Sequence, residues 1–373
     1  MLSKTPFKKI IIVAFASIFL ALLSSSYFET AQTNFFASIK HYIEHGSFSK
    51  LDTVEDNGSM YTFHRGQRYL NPVNIFQQVL GHSEAFMSKK YGLEIKQYSF
   101  FDSNGDFDRV LQIADFMKSH FFIEEIGGLQ IVRYPYEIDY APFKAPWYSG
   151  MAQGHAAIVF LHAYTITGNQ DYLQYARLSI NMLSLPFEKG GVMLELESGS
   201  GDIWFEEYAD PTMALALTPR VLNGNIFAID GLFWLWFVTK DAHYLDLLKG
   251  AINGINSVID QLDTGLWSYY GFCKNFASSG YHLIHIEQLR RMIEYSKIIG
   301  LKYPDNIEKY KKRFQIYRAF PFMGYGQRML FQRNNMIYVI FVSNYLFSVF
   351  LTNILWRIVL LKPSRPIEQV ALC

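Results

Sequence analysis

Two stretches of this 373-residue chain repeat one plan. "FLHAYTITGNQDYLQYARLSI" and "LFWLWFVTKDAHYLDLLKGAI" each pass from an apolar helical segment through a short polar turn to Tyr-Leu, which opens a second helical segment. Tyr172 and Tyr244 mark the equivalent points, 72 residues apart. A helical hairpin of this kind cannot bury its apolar surface alone, so such units must stack on one another. Around the repeat, apolar residues recur at three- and four-residue spacing in "NPVNIFQQVLGHSEAFM", "DFDRVLQIADFMKSHFF", "GHAAIVFLHAYTIT", "YLDLLKGAINGINSVIDQL" and "HIEQLRRMIEYSKII". Pro72 suits a first helical turn. Long strand patterns are absent, although "GLQIVRYPY" and "GGVMLELES" read as short hairpin strands. The expected fold class is mainly α: an (α/α) toroid of helical hairpins with a few short β-hairpins. In that architecture inner helices line a funnel whose wide-end loops carry the chemistry. One such loop, "GDIWFEEYADP", follows the Gly199/Gly201 turn and precedes a helix expected to start near Gly224. It sets Glu206, Glu207 and Tyr208 side by side. Acidic pairs in turns are commonly just solvated; the other reading is a set of proton-transfer groups at a pocket mouth.

The two ends carry a different pattern. After Lys4, Lys8 and Lys9, the 19 residues from Ile10 to Phe28 hold no charge, which suits a signal peptide or an uncleaved signal anchor. Met336 to Trp356 is again uncharged and long enough to span a bilayer, though Ser343, Asn344, Ser348, Thr352 and Asn353 would also suit a buried amphipathic helix. Lysines before the first segment and Arg357, Lys362 and Arg365 after the second place both tails on the cytoplasmic side and the middle outward, extracytoplasmic or lumenal. Arg328 and Arg333 weaken that assignment without reversing it. The expected organisation is a signal peptide or anchor (1–31), a stem (32–68), a catalytic toroid (69–318), a connector and membrane helix (319–361) and a tail (362–373).

A net charge of +1 gives no reason to expect a nucleic-acid partner. The 25 Tyr, 32 Phe and 6 Trp can stack on sugar rings as well as fill a core. Only Cys273 and the terminal Cys373 occur, with no CxxC or Cys/His cluster, so a disulfide framework or structural zinc is not expected. "SGSGD" lacks the GK[ST] of a phosphate loop, and no GxGxxG follows a strand; no cofactor and no metal are expected. "DSNGDFD", Asp102 to Asp108, reads as a turn and N-cap and lacks the later Gly and Glu of a calcium loop. Asn57-Gly58-Ser59 is a glycosylation sequon, usable in a secretory eukaryote.

Five segments, in order, resemble the glucuronyl C5-epimerase family of heparan-sulfate biosynthesis, above all its C-terminal helical domain. They are "RYLNPVNIFQQVLGH", "WYSGMAQGHA", "WFEEYADP" followed by "VLNGNIFAIDGL", "DTGLWSYYGF" and "YHLIHIEQL". The resemblance covers roughly 250 residues, Tyr69 to Arg318. It implies an isomerase that turns D-glucuronate into L-iduronate within a polysaccharide, with catalytic groups falling on Glu207, Tyr208, Tyr270 and Tyr281. Substrate-binding candidates beside them are Tyr69, Tyr148, Glu206, Asn223, Lys274, His282 and His285, with a structural, supporting role favoured for Glu206. Asn223, before Gly224, suits a helix cap better than a substrate contact. His282 and His285, three apart, could pair on a metal but better suit hydrogen-bonded positioning. Where the family has an arginine, this chain has Cys273, and Lys274 is a point charge without a guanidinium's fork. The large β-domain of animal members is missing between Leu80 and Asp106.

Inverting C5 needs a base on one sugar face, an acid on the other and stabilisation of an enediolate. A Glu with several Tyr from different loops supplies these parts. Three alternatives share the features: a uronate lyase, an α/α-toroid glycoside hydrolase, or an inactive membrane-anchored glycan-binding protein. The hydrolase would recruit Asp202, Asp210 or Asp263 as second carboxylate. The partners expected are a glucuronate-containing polysaccharide and a membrane, with a homodimer left open.

Overall fold

Apolar helix faces, each started by a capping side chain, account for most of the architecture. The computed structural model describes residues 5–45, 54–56, 59–64, 67–332 and 335–360. The tail 362–373 with Lys362, Arg365 and Cys373, and also Lys4, Asn57, Gly58 and Arg333, lie outside the described residues. The chain divides into two units, Met1–Phe48 with Ala319–Cys373, and Ser49–Arg318.

Helix α1 (Thr5–His45) opens the first unit and continues well past Phe28, through part of the segment expected to be a stem. The second unit begins with an antiparallel sheet of β1 (Val54–Asp56), β2 (Ser59–His64) and β3 (Gln67–Tyr69). Helix α2 (Pro72–Tyr91) follows, its Asn71 cap accepting the Asn74 N–H at 3.1 Å. Helix α3 (Phe107–His120) starts at Asp106, whose carboxylate accepts the Asp108 N–H at 2.9 Å, the cap expected of that turn. The hairpin β4 (Ile123–Ile126) with β5 (Leu129–Val132) leads to α4 (Gly150–Thr167) and α5 (Gln170–Asn181). A second hairpin, β6 (Met193–Glu195) with β7 (Ile203–Phe205), precedes α6 (Leu222–Thr239) and α7 (Ala242–Val258). Helices α8 (Ser279–Ile298) and α9 (Asp305–Ala319) complete the helical succession of this unit.

Burial separates inner from outer helices. Helix α4 is buried continuously from Gly150 to Ala163 and α6 from Leu222 to Trp236, as expected of helices surrounded by protein. Outer helices α5 and α7 bury only one stripe each. Inner helix α2 packs on α4, α4 on α6 and α6 on α8. At the α4–α6 crossing the backbones nearly touch: a Cβ on Gly154 would stand 2.3 Å from the Phe227 carbonyl, and one on Gly231 2.3 Å from that of Gly154. The repeated tyrosines do equivalent work. The Tyr172 hydroxyl of α5 donates to Asp115 of α3 at 2.7 Å, and that of Tyr244 in α7 donates to Asn181 of α5 at 3.2 Å. Each ties an outer helix to the one before it, giving the (α/α) toroid arrangement of stacked hairpins.

A buried ionic cluster links α8 back to α2. The Arg291 guanidinium forks onto Glu84 at 2.6 and 3.0 Å and meets Asp230 at 3.2 Å. Tyr98 and Tyr295 donate to Asp230 at 2.6 and 2.7 Å. Burial alone would push the guanidinium pKa down, but Asp230 and Glu84 reverse this and hold it well above its usual value.

The chain then returns to the first unit with α10 (Pro321–Phe331) and α11 (Asn335–Leu360), the latter packed along α1. Two helical segments, Ile10–Ile39 and Asn335–Leu355, are long and apolar enough to cross a membrane.

Candidate active site

The loop after β7 is fastened from both sides before it presents any chemistry. The Glu206 backbone N–H donates to the Val192 carbonyl at 2.8 Å, and its carbonyl accepts the Gly150 N–H at 2.9 Å. Ala209 exchanges backbone hydrogen bonds with Tyr148 at 2.8 and 2.9 Å. The Glu206 side chain turns inward: its carboxylate accepts the N–H groups of Glu207 (2.9 Å), Tyr208 (3.2 Å) and Arg220 (2.9 Å). Burial pushes its pKa up to about 7, against the pull of those three donors. Glu206 therefore shapes the loop and does not line the cleft: it takes the supporting role favoured for it, not that of a substrate contact.

Glu207 points the other way, into a cleft of about 450 Å³. Its carboxyl lies against the first turn of α6: a Cβ on Gly224 would stand 2.1 Å from Oε2. Among the described residues Oε2 has no hydrogen-bond partner. Burial raises the Glu207 pKa to about 8, with contact from the Tyr208 hydroxyl lowering it and the neighbouring Glu206 raising it. The partial positive charge of the α6 N-terminus acts in the opposite sense.

Two downstream tyrosines reach the same place by separate routes. The Tyr270 carbonyl accepts the Leu222 N–H at 3.1 Å, fixing its loop to the start of α6. Tyr281 stands in the first turn of α8, where the Ser278 cap accepts its N–H at 3.3 Å. Their rings meet edge to face, with centroids 4.7 Å apart. The Tyr208 hydroxyl makes hydrogen-bonding contact with Glu207 and with Tyr270, and Tyr270 does so with Tyr281. Burial, then the Glu207 charge, raises all three phenol pKa values. The adjacent Tyr269 instead packs on Phe276, with ring centroids 5.2 Å apart.

Aromatic walls that the sequence reading did not single out complete the cleft. Tyr136 stacks on Trp147 at 3.9 Å and 7°, and Phe143 on Tyr208 at 4.9 Å and 11°. Tyr140 also lines it, with Asn74 and Gln77 from α2. The signal was present in "YPYEIDYAPFKAPWY", whose aromatic density exceeds what one hairpin strand needs. Tyr69 lines the cleft, and Asn71 Nδ2 donates to its hydroxyl at 3.5 Å. Asn223 lines it too, with a buried Oδ1 that has no partner among the described residues. Asn223 is not a cap: α6 begins at Leu222 with Val221 in the cap position.

The remaining candidates face elsewhere. The Tyr148 ring sits 4.7 Å from the Arg133 guanidinium, away from the cleft. His282 stacks on Trp267 at 3.7 Å and contacts Ser268 Oγ at 2.8 Å, and His285 contacts the same oxygen at 3.1 Å. Both rings are interior packing groups. Lys274 Nζ donates to the Gln261 carbonyl. Among the described residues no lysine or arginine lines the cleft, Glu207 is its only carboxylate, and no group of three or more metal-ligating side chains occurs.

The family D-glucuronyl C5-epimerase C-terminus matches residues 127–314, half of the chain. The chain belongs to the D-glucuronyl C5-epimerase C-terminal family. The matched range includes Glu207, Tyr208, Tyr270 and Tyr281 and leaves α2 outside. An uncharacterised protein of Methanocaldococcus jannaschii is 31% identical over 180 residues, 46% of this chain and 54% of that protein. The chain thus spans about half the length of this curated relative. A cellobiose 2-epimerase from Bacillus thermoamylovorans superposes with a TM-score of 0.40 at 14% identity, over 67% of this chain and 60% of that one. A GH76 α-mannanase from Bacteroides thetaiotaomicron gives 0.41 at 15%, over 79% and 78%. Likenesses this loose carry no argument about how an epimerase-family site works.

Proposed function

We propose that the protein is a membrane-anchored polysaccharide uronate C5-epimerase, converting D-glucuronate to L-iduronate residues in a glycosaminoglycan-like polymer. The observation that carries the reading is the convergence of Glu207, Tyr208 and Tyr281 on one aromatic cleft, with Tyr270 hydrogen-bonded to both tyrosines behind its lining. The C5 proton is acidified only by its neighbouring carboxylate, so it demands a base of high proton affinity. Glu207, raised to about 8 by burial, is such a base. Phenols raised by the same burial stay protonated and can deliver a proton to the opposite face. In the reverse direction the tyrosinate accepts and Glu207 returns the proton. Hydrogen-bond donors around the cleft are the candidates to hold the enediolate.

Aromatic walls give sugar rings a stacking surface. A second hollow, of about 590 Å³, shares Tyr69 and gives adjacent sugars room. A single carboxylate among the described residues of the cleft disfavours hydrolysis, which calls for a pair. Asp210 and Asp263 are already engaged, by Thr212 and Lys144 and by Arg313 respectively. Two membrane spans would put both chain ends on one side, cytoplasmic by the flanking lysines, and residues 49–318 on the outer or lumenal side.

The test is product analysis. The detergent-solubilised chain is incubated with heparosan-like and chondroitin-like polymers, which are then depolymerised and their uronates resolved. Iduronate supports the proposal. Unsaturated uronate would identify a lyase, and new reducing ends without unsaturation a hydrolase.

A further inference from the structure

The unit containing α1 and α11 is built inside out by the standards of helices in water. In α1, Ser17, Ala21 and Ser25 recur every fourth residue and are fully buried. In α11, Asn344, Ser348 and Thr352 recur likewise and are at most 9% exposed. Large apolar side chains face outward instead: Phe15 is 71% exposed, and Leu346, Phe347 and Phe350 are each 64% exposed.

The buried seam is polar and paired. Ser17 Oγ lies 2.9 Å from Thr352 Oγ1. Asn344 Nδ2 donates to Ser25 Oγ at 2.9 Å and to Gln32 Oε1 at 3.0 Å, and Gln32 Nε2 returns a bond to Asn344 Oδ1 at 2.9 Å. Arg328 of α10 forks onto Glu29, with Nη1 2.9 Å from Oε1. Eight residues forward along α1, from Ser17 to Ser25, match eight residues back along α11, from Thr352 to Asn344. That register is an antiparallel pair in continuous contact.

Helices in water hide apolar groups and expose polar ones. In hydrocarbon the arrangement inverts, because small residues let backbones approach and polar side chains find partners only on another helix. We propose that α1 and α11 form an antiparallel two-helix membrane anchor, and that α1 stays in the mature protein as the partner of α11 and is not removed as a leader. Lipid hydrocarbon covers the outward Phe, Ile and Leu side chains. Removing α1 would strip Asn344 of three hydrogen bonds in the middle of an apolar helix. This inference is independent of the proposed reaction.

The test uses the full chain with one epitope before Met1 and another after Cys373, expressed in cells and followed into carbonate-washed membranes. Both epitopes on one membrane-bound chain are expected; a membrane-bound chain lacking the N-terminal epitope overturns the proposal. In a Cys273→Ser, Cys373→Ser background, Ser17→Cys with Thr352→Cys should form an intrachain disulfide on oxidation. Its yield should exceed several-fold that of Phe15→Cys with Phe350→Cys, whose side chains face out. Equal yields would refute the pairing. Epitope retention is also read on the unsubstituted chain, so poor folding of a cysteine variant cannot mask the result.

Discussion

Replacing Glu207 with Gln should stabilise the protein at neutral pH while disabling it. Burial raises the Glu207 carboxyl from 4.5 to about 8. The folded value lies above the unfolded one, so the group's contribution to stability is fully present below about pH 4.5 and is lost as pH rises through about 8. At pH 7 the carboxyl is protonated in the fold but would be ionised in the unfolded chain. Holding it so costs about 3 kcal/mol, at roughly 1.4 kcal/mol for each pH unit between 4.5 and 7. The α6 N-terminus favours the ionised form and makes this an upper value. Glutamine has nearly the same shape and does not titrate. The variant should therefore gain about 2–3 kcal/mol at pH 7, or roughly 5–10 °C in melting temperature, and almost nothing at pH 4.5. The assay is the loss of helical circular dichroism on heating, run at several pH values on parent and variant. A gain of the same size at pH 5 and pH 8, or a net loss at pH 7, would refute the electrostatic reading of this site.

Other predictions follow from the same geometry. Gly224→Ala drives a methyl group into the Glu207 carboxyl, so turnover should fall at least tenfold in a polymer assay while helical content is unchanged. Tyr270→Phe and Tyr281→Phe should each lower turnover by about 10²–10⁴, the range for losing a proton-transfer group, with KM changed little for Tyr270, which sits behind the lining. The rate at low substrate should climb as pH rises toward about 8, as Glu207 gives up its proton; a profile flat from pH 6 to 8 would remove it as base. Arg291→Met leaves Glu84 and Asp230 buried without their cation and should cost about 3–5 kcal/mol in thermal unfolding.

How far the sequence foretold this structure depended on whether the deciding contacts were local. Helical hairpins were legible from spacing, and the Tyr172/Tyr244 repeat proved to mark equivalent links between outer helices. Glu207 and Tyr208 were legible because neighbours in sequence remain neighbours in space. Tyr270 and Tyr281 were found only through motif resemblance, since nothing local says that the Tyr270 loop and the first turn of α8 will meet beside Glu207. Direction was harder to read than position. Trp147 lines the cleft and Tyr148 turns to Arg133, as adjacent residues of an extended segment point to opposite faces. His282 and His285 share a helix face, but only the assembled ring shows that Ser268 and Trp267 cover it. The Glu84–Asp230–Arg291 cluster joins three helices distant in sequence, and no periodicity reveals which charges will be buried together.

The most direct measurement of the central claim is the isotope content at C5. A glucuronate polymer is incubated with the protein in D2O and the uronate signals are followed by NMR. The account predicts deuterium at C5 in both glucuronate and newly formed iduronate, abolished by Glu207→Gln and Tyr281→Phe. Iduronate carrying only protium at C5, or no exchange on any glucuronate polymer tried, would contradict it.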